Sequence, residues 1–357
     1  MFRKLAKYTL VLINAFFALL YIFGLLALYV PTDRFVWFSY FGLIFPLLVI
    51  VQVCFAIFWA IKRKWWVLMP LLLLAFSYKS VNNAFSMPIF TKKADDGQKI
   101  TIVSYNVSFF GGEKHLDDIV KLIDKENADI VCLQEFGFYK KSNALNEEKI
   151  LSRFKKNYPY RHIWYKNQTS RIWWGNATFS KFPIVKKQKV DYASKNNVSI
   201  FSDIKIGRDT VRVFNSHLET TRLTKIDLEN LSDASTRDNK AIEQASQKLN
   251  TSFRAHARQA RKIAEIKDPT PYPTIVCGDF NDVAQSYTYH TLARGMLDAV
   301  NTTHWGYNYT FRLKNILPIG IDHILVDEQK FTPTSSHIVH VDFSDHFPVV
   351  AQLKIDN

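Results

Sequence analysis

The sequence predicts an α/β layered domain carried behind an apolar helical N-terminus, and three observations lead there. Two charge-free apolar runs, residues 8–30 and 35–61, fill much of the first 90 positions. A strand–helix–strand pattern opens the remainder. Beyond it, short polar clusters stand at the ends of apolar, β-branched runs, spread over about 240 residues.

Crossing a hydrocarbon core of about 30 Å takes roughly 20 helical residues, so both runs are long enough to span. A third run, residues 65–78, is shorter and contains Pro70. Its length favours a re-entrant or buried segment, although Lys62, Arg63 and Lys64 can snorkel and Trp65 and Trp66 can anchor at the interface. A cleaved signal peptide competes for the first run, because Arg3, Lys4 and Lys7 precede it. The apolar stretch exceeds the usual signal core and a second span follows directly, so an anchor is expected.

Basic residues flank run one and separate runs two and three, whereas only Asp33 and Arg34 lie between runs one and two. The positive-inside rule therefore places the N-terminus and residues 62–64 in the cytoplasm. With three spans the chain after about Lys79 lies outside the cytoplasmic membrane; with two it lies inside. Two basic flanks fit the three-span design. The expectation is a multi-pass protein of the cytoplasmic (inner) membrane whose part after about Lys79 is extracytoplasmic.

The formal net charge of +14 divides evenly. Residues 1–90 hold 8 Lys and Arg against 1 acid, and residues 91–357 hold 38 against 31, so each part carries +7. Half of the excess is thus topological. The other half suits a phosphate-bearing or polyanionic substrate or an anionic membrane surface, and equally a solvated surface. Cys54, Cys132 and Cys277 all sit in apolar runs, which favours buried free thiols, with a Cys132–Cys277 disulfide as the alternative outside the cytoplasm, and no zinc spacing is present.

Polar residues 91–98 separate the anchor, residues 1–90, from a second unit, residues 99–357. Its first strand covers 99–107, an amphipathic helix 117–125 and a second strand 130–133. Further strands are expected at 178–179, 184–190, 199–206, 211–216, 274–277, 323–326 and 349–353, with turn signals such as Gly207-Arg208-Asp209 between them. Residues 241–265 read as a helix. Residues 220–239 have poor periodicity and read as a loop.

The polar clusters are Asn106, Gln134–Glu135, Asn215 with His217, Asp279 with Asn281 and Asp282, Asp322–His323 and Asp345–His346. Glu135, Asp279 and Asp345 are hard oxygen ligands of the kind that hold Mg²⁺ or Mn²⁺. Asn106 and Asn281 can complete a ligand shell or orient a water. His217 and His346 exchange protons near neutral pH. Taken together, these groups point to a metal-assisted hydrolase of phosphate esters.

The chain resembles the endonuclease/exonuclease/phosphatase superfamily over about residues 99–353. The resemblance rests on YNV, LQE, the G-x-A-x-x-S-x-x-P-I pattern (Gly175, Ala177, Ser180, Pro183, Ile184), NSHL, GDFND, IDHI and SDHFPV, in that order. It implies a four-layer α/β/β/α sandwich with the site where strand ends of both sheets converge. It also implies that Glu135 is the principal metal-binding glutamate with Asn106 beside it and Asp345 near the metal. Asp279 and Asn281 would position water and phosphate, and His346, partnered by Asp322, would act on the phosphate. His217 matches the second histidine of the deoxyribonuclease and sphingomyelinase branches, and no carboxylate partner for it is evident.

The expected cofactor is Mg²⁺ or Mn²⁺. The expected substrate is a phosphate ester of nucleic acid, phospholipid headgroup or small molecule, met at a membrane, with no protein partner. A catalytically degenerate polyanion-binding protein is the alternative.

Four further readings are more local. Related membrane-anchored forms often have arginine where Gly320 stands, and His323 reads as a packed strand histidine. Asp282 reads as a turn cap or a chemical group alike. Trp173 and Trp174 read as cleft walls, and Arg254, Arg258 and Arg261 as a solvated helix face.

Overall fold

The computed structural model describes residues 2–89, 97–112, 114–140, 145–223, 227, 239–312 and 318–356. Most of the polar 91–98 segment and of the 220–239 loop lies outside these residues, as do the side chains of Arg3 and Lys4.

The apolar N-terminus forms α1 (Phe2–Leu26), α2 (Trp37–Leu43), α3 (Phe45–Ile61), α4 (Leu68–Phe76, entered by a 3-10 turn at Trp65–Val67) and α5 (Tyr78–Ala84). One stretch, Leu5–Leu26, is by itself long and apolar enough to cross a membrane. Run two is not one helix. It breaks between α2 and α3 with a bend of 60°, because Pro46 sits in the first turn of α3 and lacks the amide that would continue the preceding helix. Run three yields an apolar helix from Trp65 to Phe76.

These helices pack on one another around Tyr21, Phe45, Leu48 and Val49, while Leu12, Phe16, Ile50 and Ile57 face outward. Asn14 Nδ2 reaches Gln52 Oε1 at 3.4 Å, and Trp59 Nε1 reaches Asn14 Oδ1 at 3.1 Å.

The second unit is a sandwich of two six-stranded mixed sheets. In chain order the strands are β1 (Lys99–Asn106), β2 (Ile130–Tyr139), β3 (Tyr160–Gln168), β4 (Ile172–Ser180), β5 (Ile184–Lys189) and β6 (Ser199–Ile206). They continue as β7 (Asp209–His217), β8 (Thr274–Asp279), β9 (Met296–Asp298), β10 (Asp322–Asp327), β11 (Phe331–Ile338) and β12 (Val349–Ile355). The first sheet runs β11-β12-β1-β2-β4-β3 and the second β5-β6-β7-β8-β10-β9. Among the described residues only β1–β2 and β7–β8 pair in parallel.

Four layers follow from which faces are apolar. Ile102, Ile130, Ile204, Val213, Ile275, Ile324 and Val349 fill the space between the sheets, and Cys132 and Cys277 lie there as free thiols. The outer face of the first sheet is covered by α6 (Leu116–Lys125) and α7 (Glu147–Lys155). Helix α6 places Leu116, Ile119, Val120 and Ile123 on its buried side, with Asp117 and Asp118 in its first turn and Lys125 in its last, in accord with the helix dipole. The second sheet is covered by α8 (Asn239–Lys267) and α9 (Tyr287–Leu292), with α10 (Ala299–Thr303) after β9. Phe154 of α7 stacks on Phe179 of β4 with centroids 4.3 Å apart, and burying each such ring contributes about 1.5–3 kcal/mol.

A polar bridge joins the sheets inside this apolar filling. Asn215 of β7 donates to Leu133 O (3.2 Å) and Ala177 O (3.0 Å) of the opposite sheet, and accepts from Gln134 Nε2 at 2.8 Å. Asn176 Nδ2 returns the contact to Asn215 O at 3.1 Å.

Candidate active site

Each site residue stands where a strand ends or bends. Register pairs His217 of β7 with Asp279 of β8, and Asp279 with Asp322 of β10, so three ends of the second sheet lie side by side. The first sheet supplies Asn106 at the end of β1 and Glu135 from an irregularity in β2, where pairing with β4 shifts between Leu133 and Phe136. Glu135 has φ 49°, a left-handed value that turns its carboxylate out of the sheet's alternation. Asp345 and His346 precede β12, and His346 bridges to Phe311.

Asp279 is the hub and is 1% exposed. Its Oδ2 accepts from Asn106 Nδ2 at 3.0 Å and lies 3.5 Å from His217 Nε2 and 3.6 Å from His346 Nε2. Its Oδ1 accepts the Asn281 amide at 2.9 Å. Asn281, at φ 51°, sends its own side chain back to Leu218 O at 3.1 Å. His346 Nδ1 meets Asp322 Oδ2 at 2.9 Å. Ser344 Oγ donates to Asn106 O at 2.8 Å and reaches Asp345 Oδ1 at 3.2 Å, drawing the Asp345 segment against β1.

The electrostatics follow from burial and crowding. Burial raises Glu135 to about 7; the charges of Asp345 and Asp279 add to this, and His346 opposes it. Burial likewise raises Asp279. His217 is lowered by burial, which outweighs the pull of Asp279. For His346 burial acts downward, but Asp322 and Asp279 together outweigh it and bring the imidazole to about 10. At neutral pH His346 is thus the charged imidazole and His217 the neutral one.

The crowded carboxylates fit a divalent cation. Glu135 rises partly because Asp279 and Asp345 repel its charge, and a dication relieves that repulsion while taking the oxygen ligands it prefers. Single ligand atoms of Asp279, Asp322 and His346 also lie within 4.8 Å of one another. The 2.9 Å Asp322–His346 bond uses two of those atoms, so this trio reads better as a histidine with its orienting carboxylate.

All eight residues expected to carry chemistry (Asn106, Glu135, His217, Asp279, Asn281, Asp322, Asp345 and His346) are described; the contacts above link seven of them, and Glu135 joins through His217. His217 has the carboxylate neighbours not evident from sequence: Asp279, and Glu135 at 3.9 Å. They escaped sequence reading because each comes from a different strand. Gln134 and Asn215 belong instead to the inter-sheet bridge.

His323 is a packed histidine between Asp298 Oδ2 (3.3 Å) and Asp282 O (3.2 Å). Asp282 accepts the Val283 amide as a turn cap and faces His256 Nδ1 at 3.6 Å. Trp174 packs against Phe109 at 5.1 Å, in a left-handed turn that follows Asn106. A side chain at Gly320 would overlap the Asn308 carbonyl, so an arginine has no room here. Arg254 and Arg258 are exposed as expected, but Arg261 is not simply solvated: it pairs with Asp33 of the N-terminal part at 2.6 Å.

The model of the Endonuclease/Exonuclease/phosphatase family matches residues 103–346, and this chain belongs to that family. Residues 7–84 match a second model, described as a domain of unknown function. No curated protein matches the chain. Among solved structures, an endonuclease/exonuclease/phosphatase from Beutenbergia cavernae is 16% identical with a TM-score of 0.52, covering 72% of each chain. A family protein from Bacteroides thetaiotaomicron is 18% identical with a TM-score of 0.52, covering 74% of this chain and 100% of that one. D. rerio TDP2 complexed with a single-strand DNA product is 13% identical with a TM-score of 0.51, covering 72% and 99%. At these identities the likeness is one of fold.

Proposed function

We propose that this protein is a membrane-anchored, divalent-metal-dependent phosphoesterase that cleaves phosphodiester bonds by in-line attack of water. The observation that carries the reading is the convergence of Asn106, His217 and His346 on one carboxylate oxygen of Asp279, with Asp322 behind His346.

Asp279 and Asn281 hold the attacking water, and the raised Asp279 carboxyl is suited to take its proton. The charged His346 donates to a phosphoryl oxygen and steadies the negative charge that grows as the bond to the leaving oxygen breaks. Asp322 orients and stabilises this imidazolium by accepting from Nδ1. His217, neutral and beside Glu135 and Asp279, shuttles protons at the same centre. Asn106, Glu135 and Asp345 would hold the Mg²⁺ or Mn²⁺, which when bound supplies Lewis-acid polarisation of the phosphoryl oxygens. The test is hydrolysis of bis-p-nitrophenyl phosphate by the full chain. Turnover that needs Mg²⁺ or Mn²⁺ and disappears in both Glu135→Ala and His346→Ala supports the reading. A wild type inactive with either metal on this ester, DNA and phospholipid vesicles points to the degenerate polyanion-binding alternative.

Residues 1–90 serve as a three-span anchor and residues 99–357 as the catalytic unit outside the cytoplasmic membrane. Antiparallel helices support this topology. Asn14, midway along α1, meets Trp59 late in α3, and Tyr21, further along α1, packs on Phe45 at the start of α3 with ring centroids 4.8 Å apart, so these two are antiparallel; Tyr21 also meets Ser77 just after α4 at 2.5 Å, so α4 runs with α1. The basic residues 62–64 are thereby set at the end of the bundle away from Tyr21 and Ser77. Alkaline phosphatase fused after Gln98 is expected to be active; an inactive fusion moves the catalytic unit to the cytoplasm.

A further inference from the structure

The peptide that follows the catalytic strand is gripped by the N-terminal helices. Gln285 lies six residues after Asp279 and is 3% exposed. Its Nε2 donates to Gly24 O of α1 at 3.1 Å and to Ser80 Oγ of α5 at 3.4 Å. Gly24 is near the helix end, and Leu28 turns its amide to Leu25 O instead, so Gln285 caps a carbonyl the helix leaves open. The Gln285 carbonyl presses on α2 so closely that a side chain at Gly42 would overlap it. Asn83 Nδ2 of α5 reaches Ala284 O at 3.4 Å. From the other side, His323 Nε2 holds Asp282 O at 3.2 Å, and Ser286 caps α9 by accepting the Tyr289 amide at 3.1 Å.

This loop carries Asn281, whose left-handed φ of 51° is a conformation that persists only where surrounding contacts over-determine it. Asn281 also ties its amide to Asp279. We infer that the N-terminal helices are a component of the active site: Gln285 acts as a positioning residue that, clamped by α1, α2 and α5, holds the 281–286 loop and thereby Asn281 in working geometry. The Arg261–Asp33 pair and the Tyr40–Asn250 hydrogen bond at 2.8 Å strengthen the same docking from α8. The hydrolytic readout of this inference rests on the phosphoesterase reading above; the docking readout does not.

The test compares full-length wild type with Gln285→Met, which keeps the volume and loses the donor, and with the milder Ser80→Ala, all in the same detergent. Leu47→Ala, on the outward face of α3, is the control. Amide hydrogen exchange of residues 281–286 is expected to speed up about tenfold in Gln285→Met, and in the same direction in Ser80→Ala, with Leu47→Ala unchanged. Turnover of bis-p-nitrophenyl phosphate, measured well below every melting point, is expected to show kcat reduced about tenfold with KM within about twofold. Loss of melting temperature with unchanged exchange and unchanged kcat marks Gln285 as merely structural and overturns the inference. If Gln285→Met does not fold, Ser80→Ala decides on the same readouts. If wild type turns over neither this ester nor DNA nor phospholipid vesicles with either metal, the phosphoesterase reading fails while exchange still decides the docking.

Discussion

His346 Nδ1 and Asp322 Oδ2 lie 2.9 Å apart, and the bond joins the segment entering the last strand of one sheet to the first residue of a strand in the other. Both side chains are buried, so the charge on His346 depends on carboxylates it cannot exchange for water.

Asp322→Asn keeps the shape of that contact and removes its charge. Turnover is expected to fall by roughly 10²-fold or more with KM little changed, since the acid–base contribution is lost while the pocket stays intact. Steady-state kinetics on bis-p-nitrophenyl phosphate measures this; an effect confined to KM rejects the assigned role.

Metal affinity should follow the protonation of Glu135. Burial lifts this carboxyl to about 7, and its proton competes with the cation for the same oxygens. Binding of Mn²⁺ is therefore expected to weaken as pH falls below about 7, by up to about tenfold per unit, and to level off above it. Calorimetric titration at several pH values tests this, and Glu135→Gln should bind weakly at every one of them.

Asn215→Leu removes both the donor and the acceptor at the inter-sheet bridge. It leaves Gln134 Nε2 and the carbonyls of Leu133 and Ala177 short of partners in a closed interior. A loss of about 2–4 kcal/mol is expected, visible as a melting point lower by roughly 5–10 °C. A thermal scan of the full chain suffices to check it.

His162 offers a pH test away from the candidate active site. Burial depresses its imidazole to about 4, against an ordinary value near 6.5, and its Nδ1 meets Ser202 Oγ at 3.0 Å. Between those values the unfolded chain binds a proton that the folded one refuses, so stability falls as pH drops from about 6.5 to about 4. The loss attributable to this group is on the order of 2–3 kcal/mol. His162→Phe should flatten that limb in denaturant titrations at pH 4.5 and 7.

The residues of the polar cluster were easier to pick out in the sequence than some of the strands around them. Asn106, Asp279, Asp322 and His346 were legible because a polar residue at the end of a β-branched run breaks the apolar pattern visibly. Gln134 and Asn215 break it in the same way for another reason, satisfying each other between two sheets, and no local signal separates the two cases. Strands β3 and β11 escaped notice because both are edges: β3 alternates irregularly in burial, and β11 carries Pro333 at a shift of register, as edges tolerate. The bend at Ile44 was hidden inside a uniformly apolar run. Gln285 was invisible because its partners lie more than 200 positions away.

The Asn215 bridge has a bearing on how such an enzyme fails. Asn106, Glu135 and His346 ride on one sheet, while His217, Asp279 and Asp322 ride on the other. Under the proposed phosphoesterase reading, the reacting groups are the two jaws of a caliper whose gap is the thickness of the inter-sheet filling. Any loosening of that filling opens the caliper before it melts the protein, so catalysis should be the earliest casualty of heat or of a careless core substitution.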